Sequence, residues 1–170
     1  MRPLLALLAL LAIVPAGAEQ ARAATVSTRT LPELCHEKGP CVPATTEVSF
    51  RAAPGEPNRL VVGREGRGLL VEDTGAPLQA SGECTARSEH AVVCRGKRFS
   101  FAASLGDGDD GGLARFKATL YGEDGADDLR LAAGAGTLAG GPGDDRLTGG
   151  ARDDTLFPGP GTDTVAAGPG

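Results

Sequence analysis

Along the C-terminal part of the chain, Leu120, Leu129, Leu138, Leu147, Leu156 and Val165 recur at a spacing of nine without a slip. Between these apolar beats lie Gly- and Asp-rich stretches that read as turns. Upstream the pattern is different. Thr46–Ala52 alternates, with Val48 and Phe50 on one face, while Leu60-Val61-Val62 and Leu69-Leu70-Val71 are short apolar runs flanking Gly63, Gly66 and Gly68. Ala91-Val92-Val93-Cys94 and Phe99-Ser100-Phe101 complete a set of short strands broken by turns. No segment sustains a helical period. An all-β fold is expected.

The N-terminus carries a separate signal. Arg2 precedes an apolar run from Leu4 to Val14, and small residues follow at Ala21, Ala23 and Ala24. This is the pattern of a secretory signal peptide over residues 1–24, cleaved near Ala23 or Ala24. The run is too short to span a bilayer, so no membrane span is expected. Export to an extracellular location gives the four cysteines a meaning, because oxidising compartments favour disulfides. Of the three connectivities open to four cysteines, the spacing favours two short loops, Cys35–Cys41 and Cys84–Cys94, each within its own segment. A zinc site at Cys35, His36 and Cys41 is the competing reading, but no CxxC pair accompanies it.

Charge and glycine are segregated along the chain. Residues 1–104 have a net charge of +2, whereas residues 105–170 have −7 and hold 17 of the 26 glycines. So acidic a tail argues against nucleic acid, whose binding rests on Lys and Arg neutralising phosphates. Excess carboxylates suit a hard cation instead. With no Trp, one Tyr and five Phe, a large aromatic core is excluded.

Two motifs invite other chemistry. Asp73-Thr74-Gly75-Ala76 follows an apolar strand and resembles the D-T-G loop of retropepsin-like aspartic proteases, which need two carboxylates sharing a proton. No second D-T-G is present, and Asp and Gly make such a turn for ordinary conformational reasons. The run Asp107-Gly108-Asp109-Asp110 suggests an EF-hand, but from Asp107 the fifth position is Gly111 and the twelfth is Ala118, where acidic ligands are required. No nucleophile–base set stands out in residues 1–104, and an enzyme is not expected.

The nonamer Gly140-Gly141-Pro142-Gly143-Asp144-Asp145-Arg146-Leu147-Thr148 fits G-G-x-G-x-D-x-U-x at every defined position, U being a large apolar residue. It resembles the RTX, or haemolysin-type, calcium-binding repeat family. The resemblance covers residues 105–170 and implies a parallel β-roll or β-solenoid in which two nonamers make one coil. Residues 25–44 would then be an N-terminal segment with one short disulfide loop, and residues 45–104 a small disulfide-stapled β cap. Turns two repeats apart would stack, which sorts them into two edges. The first edge would hold Gly122–Asp127, Gly140–Asp145 and Pro158–Asp163. The turn ending at Asp110, seventeen residues before Asp127, would head it with one residue deleted.

The ligands implied for calcium are Asp110, then Gly122, Asp124, Gly125 and Asp127, then Gly140, Gly141, Pro142, Gly143 and Asp145, then Gly159, Gly161 and Asp163. Sites are expected between the Asp127 and Asp145 turns and between the Asp145 and Asp163 turns, with a weaker one between the Asp110 and Asp127 turns. On the second edge Gly136 replaces the Asp and Arg152 replaces a Gly. That edge should be largely free of ions, with Arg152 reaching a carboxylate in place of a cation. Extracellular calcium binding coupled to folding is the function implied, and a calcium-dependent structural or adhesive spacer is the alternative.

Overall fold

The apolar beats fall on strands of a two-sheet, all-β structure. The computed structural model describes residues 23–34, 41 and 43–170, and contains no helix among them. In chain order the strands are β1 (Ala24–Leu31), β2 (Thr45–Arg51), β3 (Arg59–Glu65), β4 (Gly68–Asp73) and β5 (Leu78–Ala80). Next come β6 (Cys84–Ser88), β7 (Ala91–Arg95), β8 (Phe99–Asp107), β9 (Gly111–Ala114) and β10 (Thr119–Asp124). The last five are β11 (Asp128–Leu131), β12 (Thr137–Ala139), β13 (Arg146–Thr148), β14 (Thr155–Phe157) and β15 (Thr164–Ala166). The proposed signal peptide lies outside the described residues except at its end, where Ala24 is buried as the first residue of β1.

From β8 onward successive strands alternate between the sheets. One sheet has the order β14-β12-β10-β8-β2-β1-β5 and the other β15-β13-β11-β9-β3-β4-β7-β6. Along each sheet the alternating strands pair in parallel and in register, so Leu120, Leu138 and Leu156 form one column and Leu129, Leu147 and Val165 another. The columns meet between the sheets. Leu120, Leu129, Leu138 and Leu147 are fully buried, Leu156 is partly so, and Val165 is 46% exposed on the last strand. The mixed sheets and three-residue strands are consistent with a β-roll.

The ladder starts earlier than the repeats do. β2 pairs in parallel with β8, and β3 with β9, so Phe50 stacks under Ala103 and Leu60 under Gly112. The boundary expected at residues 104/105 falls inside β8. β1 runs antiparallel to β2, and β3, β4, β7 and β6 form an antiparallel run in the other sheet. Val26, Val62, Leu69, Val71 and Val92 carry the same core to this end of the molecule. No described helix is long and apolar enough to cross a membrane.

Cys84 and Cys94 are directly opposed across β6 and β7 and are joined by a disulfide. Cys41 is also disulfide-bonded, and its expected partner Cys35 lies outside the described residues, as does His36. The side chains of β6 are largely exposed, so the bond rather than burial pins this edge strand. Changing Cys84 and Cys94 together to Ser is expected to cost about 2–3 kcal/mol, the loop-closure entropy of a short crosslink. Thermal unfolding would show the loss as a lower midpoint.

Candidate metal centre

On one edge the turns following β8, β10, β12 and β14 stack, and their carboxylates form a column. Asp163 Oδ1 accepts the backbone N–H of Asp145, Asp145 Oδ1 that of Asp127, and Asp127 Oδ1 that of Asp110, each at 2.9 Å. Each aspartate therefore reaches back to hold the preceding turn. The other oxygens behave differently. Oδ2 of Asp110, Asp127 and Asp145 is buried with no hydrogen-bond partner, an expensive state for an ionised carboxylate. Asp163, on the last turn, is half-buried.

Glycines make the hollows these oxygens face. A Cβ at Gly122 would run into Asp127 Oδ2 and the Gly140 carbonyl oxygen, and one at Gly140 into Asp145 Oδ2 and the Pro158 carbonyl oxygen. Carboxylate and next-turn carbonyl thus converge on each of these two glycines. Both carbonyls already accept one backbone N–H, from Glu123 and Gly141 respectively, and each keeps a second lone pair. Gly125 stacks over Gly108, Gly143 over Gly125 and Gly161 over Gly143, each so close that a Cβ would strike the carbonyl beneath. Gly159 lies over Gly141 in the same way, and Pro142 accepts the Gly125 N–H at 3.0 Å. Asp124 ends β10 with its side chain exposed. Its carbonyl accepts the N–H of Gly108 at 2.8 Å.

Where each of these turns begins, Gly106, Gly141 and Gly159 have φ of 96°, 123° and 103°, but the matching residue near the end of β10, paired with Gly106, is Glu123, at φ 77°. It is the one non-glycine among the described residues in the left-handed region. Glu123→Gly is therefore expected to stabilise the protein by about 1 kcal/mol, the strain relieved less the flexibility added. A higher thermal midpoint at unchanged secondary structure would register it.

The opposite edge is built otherwise. Asp154 Oδ1 accepts the N–H of Gly136 at 2.9 Å and Oδ2 that of Gly150 at 2.6 Å, so both oxygens are satisfied by backbone. Arg152 does not reach a carboxylate. It is exposed and takes part in neither ion pair found among the described residues, Arg87–Glu65 and Arg130–Asp128. Gly150 does by a backbone N–H what Arg152 was expected to do by charge.

Sequence reasoning missed the foot of the aspartate column. Asn58 is fully buried, donates its backbone N–H to Asp110 Oδ1 at 2.7 Å, and sends Nδ2 to the carbonyls of Glu56 and Leu105. It occupies the next rung as a neutral amide. The retropepsin-like loop also finds its place here. Asp73 is fully buried and its Oδ1 accepts the N–H groups of Arg59 and Gly75, at 2.7 and 2.9 Å, while His90 Nδ1 lies 2.9 Å from its carbonyl. Gly75 leaves no room for a side chain beside Pro57. These contacts make Asp73-Thr74-Gly75 a packed corner at the end of β4.

A family model of the RTX calcium-binding nonapeptide repeat, in four copies, matches residues 119–138 and 139–170. Over these residues the chain is similar to the RTX repeat family. No curated protein and no solved structure matches the chain. The two matched stretches include β10 to β15, and Asp110 and Asn58 extend the aspartate column beyond them.

RTX repeats imply calcium binding, and the donor set fits that ion. The column offers only oxygen, from carboxylates and carbonyls, which is what a hard cation selects. Among the described residues no three His, Cys, Asp or Glu side chains converge, so backbone carbonyls would have to share the coordination. Burial pushes the carboxyl of Asp127 up to about 7, with the neighbouring Asp110 and Asp145 adding to the rise. Asp110 and Asp145 are also raised, first by burial. Metal-free, this edge resists its own negative charge.

Proposed function

We propose that the protein is an exported calcium-binding β-roll whose repeats fold as the ion binds. Asp110, Asp127, Asp145 and Asp163, with carbonyls such as those of Gly140 and Pro158, are the ligands assigned on the first edge. The observation that carries this reading is the contrast between the edges. Three buried first-edge carboxylates keep an unpartnered oxygen, whereas Asp154 on the second edge has both oxygens satisfied. The strands β1 and β4–β7, with the Cys84–Cys94 disulfide, are assigned as the cap that shields the first coil.

Electrostatics supplies the coupling. Neighbouring strands lie about 4.8 Å apart, and two carboxylates at that separation repel by roughly 3.5 kcal/mol at an effective dielectric of 20. One or two inward apolar residues per strand make a thin core to set against that repulsion. Calcium removes it and adds ligand bonds, so binding free energy becomes folding free energy. Affinity in the 10⁻⁴–10⁻³ M range of extracellular calcium modules would keep the repeats open until export.

Far-UV circular dichroism during a calcium titration after chelation tests this, with magnesium as control. A cooperative gain of β signal with calcium alone is expected. Full β signal in chelator, unchanged by calcium, would leave the in-register stack as a metal-independent spacer.

A further inference from the structure

The two edges differ in charge as well as in glycine. On the second edge, where β8, β10 and β12 begin, Thr45, Arg64, Arg98, Ser100, Lys117 and Thr137 line a groove of about 460 Å³ with no carboxylate in its wall. The Arg64 guanidinium lies 4.9 Å from the ring centre of Phe99 and 5.7 Å from that of Phe116, a position in which the rings stabilise the cation without neutralising it. Arg64, Arg98 and Lys117 take part in no ion pair among the described residues. The turn Arg95-Gly96-Lys97-Arg98 links this groove to two further hollows, of about 330 and 440 Å³, that share Arg95 and Gly96. Glu83 and Glu65 are the acidic residues of those hollows, and Glu65 is taken up by Arg87.

We infer that this edge binds a linear acidic polysaccharide, one carrying carboxylate or sulfate groups along its length. Unneutralised cations spread over three linked hollows match charge repeated along a chain better than a single small anion. Guanidinium groups present paired N–H donors suited to carboxylate and sulfate oxygens. The hydroxyls of Thr45, Ser100 and Thr137 suit a hydroxyl-rich polymer. Nucleic acid fits less well, because single strands bind by stacking bases on exposed aromatic faces. Here Arg64 already sits over Phe99 and Phe116, and Phe101 is buried. The segregation also matters at long range, since a local positive field steers anions to one face of a protein whose net charge is −5.

Calorimetry of the full protein in calcium, at physiological salt, tests the assignment with four probes. Dextran sulfate presents sulfate, hyaluronan presents carboxylate, neutral dextran presents neither, and oligothymidylate presents phosphate with bases. Binding of at least one acidic polysaccharide is expected, with none to neutral dextran, and the preferred one distinguishes sulfate from carboxylate recognition. Arg98→Glu with Lys117→Glu should weaken that binding by about tenfold or more, whereas Arg29→Glu with Arg146→Glu, the same charge change elsewhere, should leave it within about twofold. Lys97→Gln with Arg98→Gln, both exposed turn residues, provides a milder pair should the first variant lose its β signal. Equal weakening by both charge-reversed pairs, silence from both acidic polysaccharides, or tighter binding of oligothymidylate would overturn the assignment. The calcium reading stands or falls separately, because Asp145→Ala should abolish the calcium response and not the groove's cations.

Discussion

Asp145→Ala is expected to eliminate the cooperative calcium response. Asp145 sits in the middle of the column: its Oδ1 holds the Asp127 N–H, its own N–H is held by Asp163, and its Oδ2 shares the Gly140 hollow with the Pro158 carbonyl. Truncation strips a carboxylate from the turns on either side and leaves the buried Asp127 N–H without its acceptor, a loss of about 1–3 kcal/mol on its own. No β transition should appear up to about 10 mM calcium, above the range of extracellular modules. Asp145→Asn separates the two effects. The amide oxygen can still accept the Asp127 N–H, but the charge is gone, so the midpoint should rise by about tenfold or more while the metal-free stability holds or improves. Asp154→Ala is the matched control on the other edge. It should lower stability through the freed N–H groups of Gly136 and Gly150 yet leave the calcium midpoint in place. A midpoint displaced as far by Asp154→Ala as by Asp145→Ala would refute the assignment of ions to one edge.

In chelator, stability is expected to fall as pH rises from about 4 to about 7. The carboxyl of Asp127 is raised to about 7 by burial and by its neighbours in the column, and those of Asp110, Asp145 and Glu56 are raised as well, each chiefly by burial. A raised carboxyl binds its proton more tightly in the folded state than in the unfolded chain. Its contribution is complete below the unfolded value near 4 and disappears as pH climbs through the folded value. Asp128, lowered by its hydrogen bond to Arg130, works in the opposite sense but is partly exposed and counts for less. Saturating calcium should remove the fall or invert it, because binding requires ionised carboxylates and releases their protons. Thermal midpoints at pH 4.5, 6 and 7.5, with and without calcium, give the comparison. A metal-free midpoint that is flat or rising over that window would mean the column is not strained by its charge.

The repeats were readable because one inward leucine every nine residues leaves little choice of register: slip a strand by one and Leu138 turns outward. The seventeen-residue step from Asp110 to Asp127 was readable for the same reason, and the bond from the Asp110 N–H to Asp127 confirms where that turn stacks. Asn58 was not readable. It lies 52 residues before Asp110, and β4 to β7 are inserted between the two rungs, so no period connects them. β1 was missed because its inward Ala24 and Val26 are flanked by Ser, Thr and Arg in a stretch without an apolar run. Charge misled in a more instructive way. Along the chain the segregation is between halves, +2 and −7. In space it is between edges, since the winding brings Arg64, Arg98 and Lys117 together on one side and the aspartate column on the other. A one-dimensional count cannot see that fold-back.

The in-register ladder also sets how the molecule should yield to force. β14 and β15 close the two sheets at one end, each held by a single neighbouring strand, and from there each coil bears only on the one beneath it. A pull on the C-terminus would therefore peel coils one after another instead of shearing the sheets at once. The eighteen-residue register offset between stacked rungs makes each release about 60 Å of contour length. Extension traces should show evenly spaced steps for the repeats, then a longer final release from the strands before β8, shortened only by the ten-residue span that the Cys84–Cys94 crosslink keeps closed. With calcium in the column the step length should stay the same and the force per step should rise, which would make the ion a setting for mechanical compliance.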